Sequence, residues 1–242
     1  MSQNVVYAYV DGNIGYLMTG QLPARGGGDG TQPVSAASAA WGTPVGGPGA
    51  LPRVLNPARG YLVTTNNPVL RGGTPFITHD WMGQHRAMRV TAVVEAASTG
   101  MDVGKSATLQ NDIESPAGRE VMAGVDAAIA RGRKVNADAR VMTFLEGLKA
   151  WTGVVDGSEL TARYEAFEDR LWRRTLGDDL APELFHRYYQ WAGAERPAGL
   201  YSFIDDPQAR WWDDIGTVNA RETRDDIYLL AAGDAAADVE QW

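Results

Sequence analysis

Val5-Val6-Tyr7-Ala8-Tyr9-Val10 is followed by Asp11-Gly12-Asn13 and then by Ile14-Gly15-Tyr16-Leu17-Met18. Both flanking runs are rich in β-branched and aromatic residues, which suit a pleated, half-buried surface. The Asp-Gly step between them tolerates the positive φ that a tight reversal needs. The spacing predicts an antiparallel hairpin. Further along, Gly60-Tyr61-Leu62-Val63-Thr64-Thr65 predicts another strand. It stops at Asn66-Asn67-Pro68, because proline has no N–H to give a ladder. Between them, the Gly-, Ala- and Ser-rich stretch from Gly26 to about Pro52 reads as a loop.

Composition divides the chain. Residues 1–75 hold 14 of the 28 glycines and 8 of the 12 prolines. The remainder has helical periodicity over 86–94, 103–112, 116–130, 141–151, 160–176, 182–191 and 221–232. Tyr164, Phe167, Leu171 and Thr175 mark one such face at 3.6-residue spacing. Ser115-Pro116 supplies a helix start with proline at the first position. The expected class is α+β, with a β-rich part over 1–80 and a mainly helical portion over 81–242.

The 242 residues carry 22 Lys and Arg against 30 Asp and Glu, a net charge of −8. That balance argues against nucleic acid as a partner, which needs a basic face. No apolar run reaches the roughly 18 residues of a membrane span. The opening Met-Ser-Gln-Asn-Val-Val lacks the basic and apolar regions of a signal peptide. Cysteine is absent, which excludes disulfides, thiolate zinc sites and a Cys nucleophile. Three histidines are too few for a His-rich metal site. Gly26 to Gly30 lacks the Lys of a phosphate loop.

Several candidates for chemistry remain. The pairs Asp205-Asp206, Asp213-Asp214 and Asp225-Asp226 read as turns or helix ends. His79-Asp80 could be an acid/base pair, although adjacent residues rarely face one site. Trp172, Tyr188, Tyr189, Trp191, Trp211 and Trp212 read as inter-helix packing, with an aromatic ligand site as the alternative. Asn66 and Asn67 end an apolar strand. An amide there can aim its N–H at a developing oxyanion, worth about 3–4 kcal/mol when preorganised. The same residues can instead close a turn, since Asn tolerates the left-handed region. On spacing alone, the turn is the commoner use.

At these residues the chain resembles the penicillin acylase (penicillin amidase) family of N-terminal-nucleophile hydrolases. Tyr7 to Tyr16 resembles the family's "Y-A-D-x-x-G-N-I-G-Y" hairpin, and Thr19 to Arg25 its "x-G-x-x-P-x-R" continuation. Gly28 to Val34, Leu51 to Pro57 and Gly60 to Asn67 resemble "G-D-G-x-x-P-V", "L-P-x-x-x-N-P" and "G-Y-x-x-x-x-N-N". Trp81 to Arg89 resembles "W-x-x-G-x-R-A-x-R", with one extra residue before the first Arg. Leu109 to Asp112 and Glu222 to Asp226 add weaker matches.

The resemblance implies part of an αββα sandwich and hydrolysis of the amide bond of N-acyl compounds: β-lactam side chains, acyl-homoserine lactones or similar. The family's nucleophile is a Ser at a chain terminus exposed by self-cleavage, with its own α-amine as base. By position Asn66 corresponds to the side-chain oxyanion donor, and Arg86 to a supporting Arg. The resemblance places the nucleophile, the second oxyanion donor and calcium-binding acidic residues upstream of this stretch. It places a further segment after Val239 to Trp242. Ser2 aligns with the lead-in to a strand, not with the nucleophile. The chain thus corresponds to the middle of a catalytic subunit. Its expected partners are an N-acyl substrate and the rest of an acylase, namely the alpha chain and the nucleophile-bearing segment. Alone, it is expected to lack amidase activity. The alternative is a non-catalytic partner or binding module. Calcium and localisation stay open; periplasmic or extracellular placement is the family's habit.

Overall fold

The computed structural model describes residues 3–38, 40–47, 49–70, 75–79, 81–97, 99–191 and 198–241. Ser2, Asp80, Trp242 and the side chain of Trp191, weighed above, lie outside the described residues. The chain forms two compact units, Met1–Val103 and Gly104–Trp242.

In the first unit, β1 (Gln3–Ala8) pairs antiparallel with β2 (Ile14–Thr19), and β2 pairs with β5 (Arg53–Leu55). The predicted hairpin is present, but its loop is longer than a two-residue turn. Tyr9 N–H donates to the Asn13 carbonyl at 2.8 Å, and Gly12 sits at φ +88°. The Tyr7 ring lies against Gly15, its cross-strand partner, where a Cβ would collide with it. Two asparagines tie the hairpin to β5. Ile14 N–H donates to Asn56 Oδ1 at 2.9 Å, and Asn56 Nδ2 donates to Asn13 Oδ1 at 2.6 Å. This is what the "G-N-I-G-Y" and "N-P" elements do physically.

The stretch read as a loop holds more order than expected. β3 (Gln21–Arg25) pairs with β4 (Trp41–Gly46), and β5 follows. The expected strand over residues 60–65, by contrast, is irregular. Side chains bind part of its backbone: Arg59 Nε donates to the Tyr61 carbonyl at 3.0 Å, and Arg86 Nη2 to the Thr65 carbonyl at 3.0 Å. Helix α1 (His85–Ala96) belongs to this unit. Its Ala87, Met88 and Thr91 share a cavity of about 510 Å³ with Val6, Tyr16 and Val54 of the sheet. The boundary between the units falls at Val103 and Gly104, so α1 belongs with the strands of the first unit.

The second unit contains α2 (Val103–Gln110, entered from the last residue of the first unit), α3 (Pro116–Met122), α4 (Val125–Val135) and α5 (Ala139–Leu148). It continues with α6 (Glu159–Leu176), α7 (Pro182–Trp191), α8 (Ala198–Tyr201), a 3₁₀ turn at Arg210–Trp212 and α9 (Arg224–Val239). Side chains cap the starts: Ser115 accepts from Gly118 N–H, and Ser158 from Thr161 N–H. The helix expected over 116–130 breaks at Ala123-Gly124. There the Tyr228 hydroxyl donates to the Val121 carbonyl at 2.9 Å. A Cβ on Gly124 would meet the Tyr228 ring at 2.9 Å, so only glycine lets α9 approach so closely.

Helices α6 and α9 carry the core. Phe167, Leu171 and Trp172 on α6 and Tyr228, Ala231 and Ala235 on α9 are buried. Arginine–aspartate forks bind the pair at its edge. Arg170 clasps Asp238 at 2.6 and 2.7 Å, and Arg174 clasps Asp234 at 2.7 and 3.0 Å. Arg131 on α4 reaches Asp226 at 2.6 Å. The aromatic residues pack on one another, as in the Trp212 contacts with Phe203 at 5.1 Å and Tyr228 at 6.3 Å between ring centres.

Candidate functional site

Asn66 and Arg86 are 20 residues apart in sequence and touch in the structure. Arg86 Nη2 donates to Asn66 Oδ1 at 3.2 Å while also donating to the Thr65 carbonyl at 3.0 Å. Met82 N–H donates to the Asn66 carbonyl at 3.2 Å. The segment entering α1 and the segment leaving residues 60–65 are therefore joined at one residue, through both its main chain and its side chain.

Asn66 sits at φ +66°. That is the left-handed region, which glycine enters most cheaply and Asn more readily than other residues. So Asn66 does close a turn, the commoner use weighed from its sequence. Its amide does more than turn the chain. A guanidinium can only donate, so the amide oxygen must be the atom facing Arg86. That fixes the amide's orientation. Nδ2, on the opposite side, donates to no group among the described residues, and Asn66 is exposed.

Arg86 is the second residue of α1, where the positive end of that helix's dipole lies. The Asn66 N–H₂ is an exposed, oriented donor beside it.

Asn67 and Gln84 line two cavities at once. One is the space of about 510 Å³ bounded by Leu62, Thr64 and Met88. The other, of about 640 Å³, is bounded by Phe76, Ile77 and Trp81.

The other candidates resolve into structural roles. His79 Nε2 lies 3.1 Å from Asp29 Oδ2 on the surface, so its acidic neighbour in space is Asp29. The Thr31 hydroxyl and N–H hold the Asp29 carboxyl below the usual carboxylate range, helped by His79. Asp206 accepts from Gln208 N–H, Asp213 from Glu222 N–H and Asp214 from Gly216 N–H; Asp226 closes the capping box of α9. Calcium finds no group of three His, Asp or Glu side chains among the described residues able to hold it. The chemistry proposed below does not use it.

Sequence reasoning missed the Met82 N–H bond to Asn66 and the bond from Thr65 N–H to the Asn67 side chain. Spacing does not reveal a main-chain donor. Asn67 was visible as half of an Asn-Asn pair, but nothing separated its role from that of Asn66.

Comparison with known proteins supplies the class. The fold matches a thermostable penicillin G acylase from Alcaligenes faecalis in orthorhombic form, with a TM-score of 0.72 and 20% identity. The match covers 100% of this chain and 47% of that one. The α+β fold is thus that of part of this acylase, in keeping with the expected class. The chain is also 29% identical over 218 residues to a penicillin acylase 2 proenzyme from Pseudomonas sp. (strain SE83). That alignment takes in 88% of this chain and 26% of the relative, so the chain spans about a quarter of the curated relative's length. The penicillin amidase family model matches residues 1–242, and the chain belongs to that family.

Proposed function

We propose that this chain contributes the oxyanion-binding part of an amidohydrolase acting on N-acyl compounds. One observation carries the reading: Arg86 bonds both Thr65 and Asn66, leaving Asn66 Nδ2 on the side away from Arg86 with no acceptor among the described residues. In the proposed reaction, a nucleophilic hydroxyl from outside these residues adds to the amide carbonyl carbon. The carbonyl oxygen takes the electron pair and is held by Asn66 Nδ2–H, which Arg86 orients. Collapse expels the amine, which takes the proton released by the nucleophile. Water then frees the carboxylic acid and restores the hydroxyl.

The flanking cavities favour substrates with apolar groups, a class that includes β-lactam side chains and acyl-homoserine lactones. The alpha chain and nucleophile-bearing segment of an acylase would be the partners. Periplasmic or extracellular placement belongs to the same reading. Among the described residues, no helix is long and apolar enough to cross a membrane.

The test is amine release from a penicillin by the full-length protein and its Asn66→Ala variant. Turnover should fall by about 100-fold or more. Equal turnover in both proteins would overturn the reading. A second reading, a binding module without catalysis, is supported by the exposed apolar residues Val5, Val6, Val54 and Leu55 on the sheet. It predicts amide binding without amine release.

A further inference from the structure

We infer that Asn67 is a positioning residue for the Asn66 amide, an assignment that rests on the oxyanion reading above. Its side chain turns back along the chain. Thr65 N–H donates to Asn67 Oδ1 at 3.0 Å, and the Thr65 hydroxyl approaches the same oxygen at 3.4 Å. Asn67 Nδ2 faces the Pro68 carbonyl at 3.4 Å.

The consequence falls on Asn66. The bond from Thr65 N–H to the Asn67 side chain spans Asn66 and closes a small ring around it. Closing that ring restricts the backbone to the left-handed conformation at φ +66°. Arg86 Nη2 bridges the Thr65 carbonyl and Asn66 Oδ1 and so holds the side chain, Met82 N–H holds the Asn66 carbonyl, and the Asn67 bond runs across the Asn66 main chain itself. A turn alone would be served more cheaply by glycine. Retaining Asn at 66, with its neighbour's side chain spent on the turn, fits a site where the direction of one amide matters.

The division of labour is specific. Asn66 would touch the reacting oxygen; Asn67 acts only through it. Removing the Asn67 carbonyl should lower the rate at which bound substrate reacts, and because Asn67 also lines both cavities the separating readout is kcat and its rescue by Asp, not KM. Asp keeps an oxygen for the Thr65 N–H, so it separates the geometric role from mere side-chain volume.

Two measurements test this. The first is amide hydrogen exchange at Thr65 in the 242-residue chain. Exchange should quicken by about tenfold or more in Asn67→Ala, the loss of one bond's protection, and return toward the wild-type rate in Asn67→Asp. Equal protection in wild type and Asn67→Ala would overturn the inference. The second is turnover of a penicillin by the full-length protein. Asn67→Ala should lower kcat by about tenfold, a fraction of the loss from deleting the donor itself, and Asn67→Asp should restore most of it. If Asn66→Ala lowers kcat and Asn67→Ala does not, this inference fails and the oxyanion reading stands. If neither lowers kcat, the oxyanion reading fails with it.

Discussion

The two units are stabilised in opposite ways. Among the described residues, the core of the second unit has twenty-two buried residues, running from Val121 to Ala236. The first unit has four: Tyr16, Met18, Leu22 and Leu51. The second unit joins its helices by packing and by arginine–aspartate forks. The first is held largely by specific hydrogen bonds, such as Asn13 with Asn56 and Arg86 with Asn66. A large apolar core tolerates exchange of one hydrophobic residue for another, because its energy is spread over many contacts. Directional bonds do not, and directional bonds are what a site needs. The unit with the smaller core is the one that carries the candidate chemistry.

The largest expected effect lies in the second unit. Phe167→Ala removes a fully buried ring between α6 and α9 and should cost about 3–5 kcal/mol of stability. Thermal unfolding checks it. A loss below about 1 kcal/mol would mean that the α6–α9 core is not the stabilising element.

Next comes Asn66→Ala, which should cost about 3–4 kcal/mol in transition-state stabilisation and about 1–2 kcal/mol of stability, from Ala at a left-handed φ and the lost Arg86 bond. A loss of stability well beyond that in thermal unfolding would make Asn66 a folding residue and erase the contrast between the units.

Acid should sharpen the contrast further. Arg170 holds the Asp238 carboxyl below the ordinary range. Burial raises the Asp226 carboxyl, but hydrogen bonds from Thr223 and Arg131 outweigh it and the net shift is downward. Ser158 and Thr161 bring Asp156 down to about 2. A carboxyl depressed in the folded state contributes stability above its unfolded pKa and loses it as pH falls through the folded one. The helical unit should therefore weaken progressively from about pH 4 toward pH 2. Helical circular dichroism against pH reads this directly. Unchanged stability across that window would remove the forks from the account. The smallest effect is Glu183→Gln, which breaks an exposed pair with Arg187 on α7 and should cost about 0.5 kcal/mol or less.

Much of the fold was legible from local chemistry. The hairpin announced itself through Asp11-Gly12 between two strand-like runs, and α6 through the spacing of Tyr164, Phe167 and Leu171. What stayed hidden depends on distant partners. Residues 60–65 have strand composition, but arginine side chains bind their backbone. The break at Gly124 is set by Tyr228, over a hundred residues away. β4 hid inside a Gly-rich stretch because strand pairing with β3 outweighed its weak propensity. At the site, Asn66 was a candidate from its place at a strand end and the resemblance raised it, while Arg86 was legible only through the resemblance. Their contact across 20 residues is a product of the fold, and Asn67 needed the geometry to acquire a role.

The most direct test of the central claim is a double-mutant cycle in turnover, combining Asn66→Ala with Arg86→Ala in the full-length protein. If Arg86 works mainly by holding Asn66 with its N–H outward, the double variant should be little slower than Asn66→Ala alone. If the two losses multiply in full, Arg86 and Asn66 act independently, and the oriented-amide account is wrong.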